Sequence, residues 1–302
     1  MIDPKNRHSD SQNGESAILH GNIPYIVFVA LFDWSVLKKS FSFIFTVLRR
    51  FFIDQFVYKM NPGKVPLRNI EHPLDATIPL RYETVGVYLS FIHIWISALS
   101  HLRHRLGPDF NDSIVEFLDG LSRCYTDAAT VYARCLSTTR RPERAPNSRL
   151  AFVYAVDPHL FCVPSIHVLV VCYTYGKIAA ILRNKGLEEE YLHEIAALRT
   201  KAIAITESIL YVRQHSLNCI PTALSMLPTF LSSYTQEESK AFLAELFAHD
   251  EALADEQRRA VLAYMMDLYE RMVFHASSAD TPYSHMVDFL MEYRESIVVQ
   301  ES

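Results

Sequence analysis

Three short segments in the middle of the chain carry the residue types that phosphoryl transfer needs. Arg134 is followed after six residues by Arg141-Pro142, then come Pro164-Ser165-Ile166-His167, and Ser208 with Arg213-Gln214-His215 completes the series. Guanidinium groups stay protonated and present a fork that matches phosphate oxygens. Ser165 adds a hydroxyl donor. Histidine, with an ordinary pKa near ~6.5, can act as nucleophile, acid or base. Chemistry of this kind asks for positioning and charge neutralisation, and the cations already present call for no metal or cofactor. Each segment alone is ordinary: two arginines near a proline usually make a solvated loop, and a lone histidine in an apolar run is usually packed in the core. Their order and spacing together carry the reading.

In that order the segments resemble the type 2 phosphatidic acid phosphatase superfamily, which includes bacterial acid phosphatases and vanadium haloperoxidases. The form Pro164-Ser165-Ile166-His167, with Ser208-Ile209 and Arg213-Gln214-His215, is similar to the Pro-Ser-Leu-His branch that contains inositol phosphorylceramide synthases. An upstream stretch, Pro73-Leu74-Asp75-Ala76-Thr77-Ile78-Pro79, running on to Val87-Tyr88 and Trp95, looks like the same branch. The resemblance spans about residues 20–233. It implies an all-α fold: a helical bundle of about six core helices, here with a C-terminal helical extension. It implies that His215 attacks phosphorus and becomes a phosphohistidine, while His167 protonates the leaving alcohol and then activates water. Arg134, Arg141, Ser165 and Arg213 would hold the phosphate. The implied activity is hydrolysis of a lipid phosphate or related phosphomonoester. The alternatives are a lipid head-group phosphotransferase, or a catalytically lapsed relative that binds a phosphorylated ligand or a protein partner.

Two positions depart from the pattern. Ile209 stands where much of the family has an Arg, and Arg213 is the candidate replacement cation. Cys219 stands where the family has the Asp that orients the nucleophile. If His215 and Cys219 lay on one helix they would share a face, but a thiol is a weak acceptor and mostly protonated near neutral pH. A backbone carbonyl or Glu207 is the expected substitute.

The elements that must position these residues read as helices. Half of the 302 residues are hydrophobic and 12% aromatic, which excludes disorder for most of the chain, and glycine is too scarce for a nucleotide-binding loop. Cysteines 124, 135, 162, 172 and 219 show neither metal-type spacing nor a disulfide framework. Three uncharged runs, Thr84–Leu102, Pro158–Gly176 and Gln214–Gln236, approach the ~20 residues of a membrane span. With the aromatic stretch 23–58, they suggest a multi-pass membrane protein. No cleavable signal peptide is evident, and residues 1–16 read as a disordered polar tail.

Residues 17–234 form the expected core and 235–302 an amphipathic extension of three helices. The extension holds 14 acidic and 5 basic side chains, a balance of −9, which leaves +4 for the rest of a chain at −5. That distribution argues against nucleic acid as a partner. The partners implied are a phosphorylated lipid or small-molecule phosphate and a membrane. What the extension binds is left open.

Overall fold

A computed structural model describes residues 16–293. Most of the tail expected over 1–16, and the end of the third C-terminal helix expected to reach 299, lie outside the described residues. Ser16, assigned to that tail, is buried.

The fold is all-α, with 72% of residues helical and 3% in strands. Helix α1 (Ile23–Phe32) starts at Asn22, whose side chain accepts from the Tyr25 amide. Asp33 ends it and caps α2 (Trp34–Val47) by accepting from the Ser35 and Val36 amides, a preferred N-cap arrangement. A π-helical segment (Leu48–Ile53) leads into α3 (Asp54–Met60). Strand β1 (Leu67–Asn69) and a 3₁₀ turn (Pro73–Thr77) follow. Then come α4 (Val85–Leu89), α5 (Phe91–Leu106) and α6 (Asn111–Tyr132), β2 (Leu136–Thr138), α7 (Ser148–Val156), α8 (Ile166–Asn184), α9 (Leu192–Tyr211) and α10 (Cys219–Phe230). The extension is α11 (Gln236–Glu245), α12 (Asp255–Ala276) and α13 (Ser284–Glu292).

Helix α8 is the axis of the molecule. α5, α6, α9 and α10 pack around it, and every residue from Ile166 to Gly176 is buried. Its sequence is apolar on all sides, as a helix enclosed by others requires. α2 lies along α6, and α1 bridges α2 and α5. α12 seats α11 and α13 and packs on α10. A 3₁₀ turn (Glu189–Tyr191) precedes α9, and Phe110 takes the N-cap position of α6 without a side-chain hydrogen bond.

The sequence shows no strand, yet β1 and β2 pair in parallel, Leu67 opposite Leu136, and Ser137 bridges to Phe161. Three-residue strands are too short for an alternating pattern to register. This small ladder is what brings the Arg141 loop beside the stretch 157–162.

Among the described residues two helical stretches are long and apolar enough to cross a membrane, Tyr82–Leu106 and Ile166–Asn184. The second is 78% buried by protein and the first 44%. The core role of α8 therefore accounts for its hydropathy without lipid.

Candidate active site

His167 opens α8 and His215 lies in the loop between α9 and α10, so 48 residues of chain separate them. Their rings meet with centroids 5.4 Å apart, nearly perpendicular. Ser165 sets the first ring's position. Its side chain accepts from the Val168 amide, and its own amide donates to the Cys219 carbonyl at 3.3 Å. The His167 ring stacks on Tyr88 at 4.5 Å and leans on Phe91 at 4.2 Å. Both imidazoles border a small cavity of about 20 Å³, with Asp157, His159, Cys162 and the aromatic walls Phe51 and Phe161. That space suits roughly one water.

Arg141 grips Asp157. Its Nη2 donates to Asp157 Oδ2 at 2.6 Å and its Nη1 to the Asp157 carbonyl at 3.0 Å, while the guanidinium lies over the Tyr154 ring. Asp157 Oδ1 accepts from the His159 amide at 3.0 Å. His159 Nε2 sits 2.8 Å from Thr139 Oγ1, and its Nδ1 is 3.9 Å from Asp157 Oδ2. His159 and Arg213 both adopt left-handed backbone, with φ of 62° and 53°. Non-glycine residues held there cluster at functional sites.

Among the described residues Arg141 Nε and His215 Nδ1 are buried without a hydrogen-bond partner, as are the neighbouring Tyr154 hydroxyl and Gln214 Oε1. Groups left in that state are uncommon and costly. Burial pushes the His215 imidazole down to about 4, against the pull of the Asp157 charge and the Cys162 backbone; Arg141 adds to the lowering. Burial, then Arg141 and His215, hold His159 well below its ordinary value. Both rings are therefore neutral near pH 7, and a neutral ring keeps the lone pair that a nucleophile needs.

The other expected residues lie elsewhere. Arg134, in the turn after α6, is exposed and donates to Thr281 Oγ1 at 3.3 Å. Arg213 spends its guanidinium on the carbonyls of Asp75 and Ile78. The expected ring of three guanidiniums is therefore one, Arg141. Ser165 is fully buried and serves as the α8 cap rather than as a phosphate donor facing the cavity. Ser208 donates to the Ile205 carbonyl within α9, and Ile209 is fully buried where no arginine would fit. Cys219 is not on one helix with His215. It is the first residue of α10, and its thiol accepts from the Ser216 amide at 3.4 Å. Glu207 accepts from the Phe247 amide, in the extension, and so does not orient His215.

Asp157, His159 and Tyr88 were not expected as site residues. Asp157 and His159 fall in the interval between the second and first motifs, where a carboxylate beside Pro158 looks like turn chemistry. Asp75 was also missed. It accepts from the Leu217 amide through Oδ1 and from the His72 amide through Oδ2, both at 2.8 Å. It thereby ties the loop that bears His215 to the 70–79 segment. Burial raises its carboxyl to about 6. The extension closes over the same segment: Tyr264 stacks on His72 at 3.7 Å and donates to Asn218, and Asn218 Nδ2 donates to the Ile70 carbonyl at 2.8 Å.

Among the described residues no group of His, Cys, Asp or Glu is placed to hold a metal ion. Comparison of the chain with family models, with curated proteins and with solved structures returned no match.

Proposed function

We propose that the chain is a phosphatase for a lipid phosphate or related phosphomonoester, working through a phosphohistidine on His215. The observation that carries the reading is His215, with Nδ1 buried and unpaired among the described residues, facing the His167 ring across one cavity, with Arg141 held just behind it on the cavity-lining Asp157. An unpaired ring nitrogen and a guanidinium whose Nε–H is unpaired are what a phosphorus atom and a phosphate oxygen would engage. The resemblance of the motif order supports the same chemistry.

In the first step a ring nitrogen of His215 attacks phosphorus. Burial and then His215 hold the His167 imidazole well below its ordinary value, so it serves as a relay: a P–N bond forms, the P–O ester bond breaks, and His167 passes to the departing alkoxide the proton it takes from the hydroxyl of the phosphomonoester monoanion. In the second, water attacks phosphorus, His167 takes the water's proton, and the P–N bond breaks to release phosphate. Arg141 neutralises the phosphate oxygens as Asp157 gives way to them. Asp157, released from one of its two contacts with Arg141, offers the negative charge that a cationic His215 needs. It fills the part that Cys219 cannot. The first turn of α8, 19 residues long, points its positive end at the same space. A phosphate is larger than this cavity, so substrate entry requires the lining, Phe51 and Phe161 among it, to yield.

The membrane side of the proposal rests on α1–α3. Phe28, Phe32, Trp34, Phe45 and Met60 are 59–80% exposed there. Contiguous apolar surface of this kind marks an interaction face. Phe51 belongs to the same stretch and also walls the cavity, so an acyl chain lying on this face would lead its phosphate towards His215. Tyr82–Leu106 is the candidate span.

Purified protein with phosphatidic acid tests the activity. Wild type is expected to release inorganic phosphate, His167→Gln to be slower by about 10²–10⁴-fold, and His215→Ala to release none. Wild-type release no greater than that of His215→Ala rejects the proposal.

A further inference from the structure

On the other side of α5 lies a larger groove, about 580 Å³, between the turn Ala17–His20, the start of α5 and one face of α9. Its size falls within the ~300–1,000 Å³ of small-ligand sites. α9 contributes His193, Ala197, Lys201 and Ala204. Steps of three and four residues place them on one helical face. The turn contributes His20 and α5 contributes His93. Among the described residues no Asp or Glu lines the groove. His193 and Lys201 have neither an ion pair nor a hydrogen bond among the described residues. A permanent cation with three imidazoles and, among the described residues, no carboxylate is one-sided chemistry, unlike the paired basic groups Lys177 with Glu116 and Arg199 with Glu245.

A second observation points the same way. Ser16 borders the groove, is only 5% exposed, and its Oγ is buried with no hydrogen-bond partner among the described residues. A hydroxyl in that state is a donor held ready for an acceptor that the protein does not supply. Leu19 and Ile94 add an apolar flank.

We infer that this groove is a second anion-binding site, taking a phosphate group, either free or as the head of a phosphorylated amphiphile. Lys201 neutralises the oxygens, His93 and His193 offer ring N–H donors, Ser16 donates to one oxygen, and the Leu19–Ile94 flank receives apolar substituents. The site is separate from the His167–His215 cavity. Phe91 packs on His167 while His93 lines the groove, and two positions along a helix point to nearly opposite sides. It also goes beyond the proposed hydrolysis and stands or falls without it.

The test uses full-length His215→Ala protein, in which the catalytic cavity is disabled, with histidine ring signals followed by NMR. Inorganic phosphate is titrated against chloride at matched ionic strength. His93 and His193 signals are expected to move saturably with phosphate only. Lys201→Glu is expected to weaken the midpoint by at least about tenfold, equivalent to about 1.4 kcal/mol. Ser16→Ala, a smaller change, is expected to weaken it less. Vesicles of phosphatidylcholine with and without phosphatidic acid distinguish the sources. Lys201-dependent shifts on phosphatidic acid vesicles assign a lipid headgroup, and shifts with free phosphate alone assign a soluble ligand. Equal responses to phosphate and chloride, or phosphate binding unchanged in Lys201→Glu, overturn the inference.

Discussion

The two ends of the molecule treat their apolar residues in opposite ways. Of the large apolar side chains that are exposed, fourteen lie between Val27 and Met60, and only Phe274 and Met291 lie in α11–α13. The extension buries Phe242, Leu243, Val261, Met265, Leu268 and Tyr269 and turns its charges outward. Water is the medium that the second arrangement suits. The first keeps its aromatic rings outside the core, which water disfavours and lipid tolerates. The contrast separates two jobs. The N-terminal helices present an apolar face to their surroundings, while the extension braces the loop that carries His215 through Tyr264, His72 and Asn218.

The sharpest way to break that contrast is to truncate one side chain at each end. Leu268→Ala, in the fully buried row of α12, is expected to cost about 2–5 kcal/mol. Phe45→Ala, at a site 69% exposed, is expected to change stability by less than about 0.5 kcal/mol. Urea unfolding of both variants measures it. Phe28→Glu with Phe45→Glu should reduce sedimentation with phosphatidylcholine vesicles while leaving unfolding unchanged. Equal stability losses at the two ends would show that α2 is packed in solution in a way the contrast denies.

A next effect comes from pH. The folded pKa of His215 is depressed to about 4, so its contribution to stability is present above pH ~6.5 and is lost as pH falls towards 4. The shift corresponds to at most about 3 kcal/mol. Asp75 works in the opposite sense. Its raised value of about 6 means that its contribution is present below pH ~4 and is lost as pH rises through 6. Unfolding midpoints at pH 7 and pH 5 should therefore fall with acid more steeply in Asp75→Asn than in wild type, and less steeply in His215→Gln.

Much of the fold class was legible because helical periodicity and long uncharged runs leave few alternatives. That His167 and His215 would meet was legible only through the resemblance of the motif order, since no local pattern links rings 48 residues apart. Arg134 was misplaced for a local reason: it sits in the exposed turn that ends α6, where a one-residue rotation decides whether a side chain faces the site or the solvent. Arg213 was misread because its left-handed backbone and its two carbonyl acceptors come from a segment 135 residues away. Asp157 left no local sign at all. Only the pairing of β1 with β2 and the Ser137–Phe161 bridge bring it to Arg141, and three-residue strands do not show in sequence. Cys219 suggested a damaged site, but the carboxylate acting on His215 comes from a different segment.

A smaller effect sharpens the bracing role. Asp75→Ala removes both acceptors for the His72 and Leu217 amides. Leaving a buried amide unpaired costs about 1–3 kcal/mol, so hydrogen exchange at Leu217 should quicken by about tenfold or more, while that of α8 stays slow. Tyr264→Phe, which deletes a single hydroxyl donor to Asn218, should quicken it less.

The central claim is that Arg141 and His215 form one pocket for a tetrahedral oxyanion. Orthovanadate titration of the melting transition tests it most directly. Saturable stabilisation by vanadate of Lys201→Glu protein, in which the second groove is disabled, and its loss when Arg141→Ala or His215→Ala is added, is the expected result. A Lys201→Glu transition that does not move at millimolar vanadate, or one that moves as far once Arg141→Ala or His215→Ala is added, would contradict it.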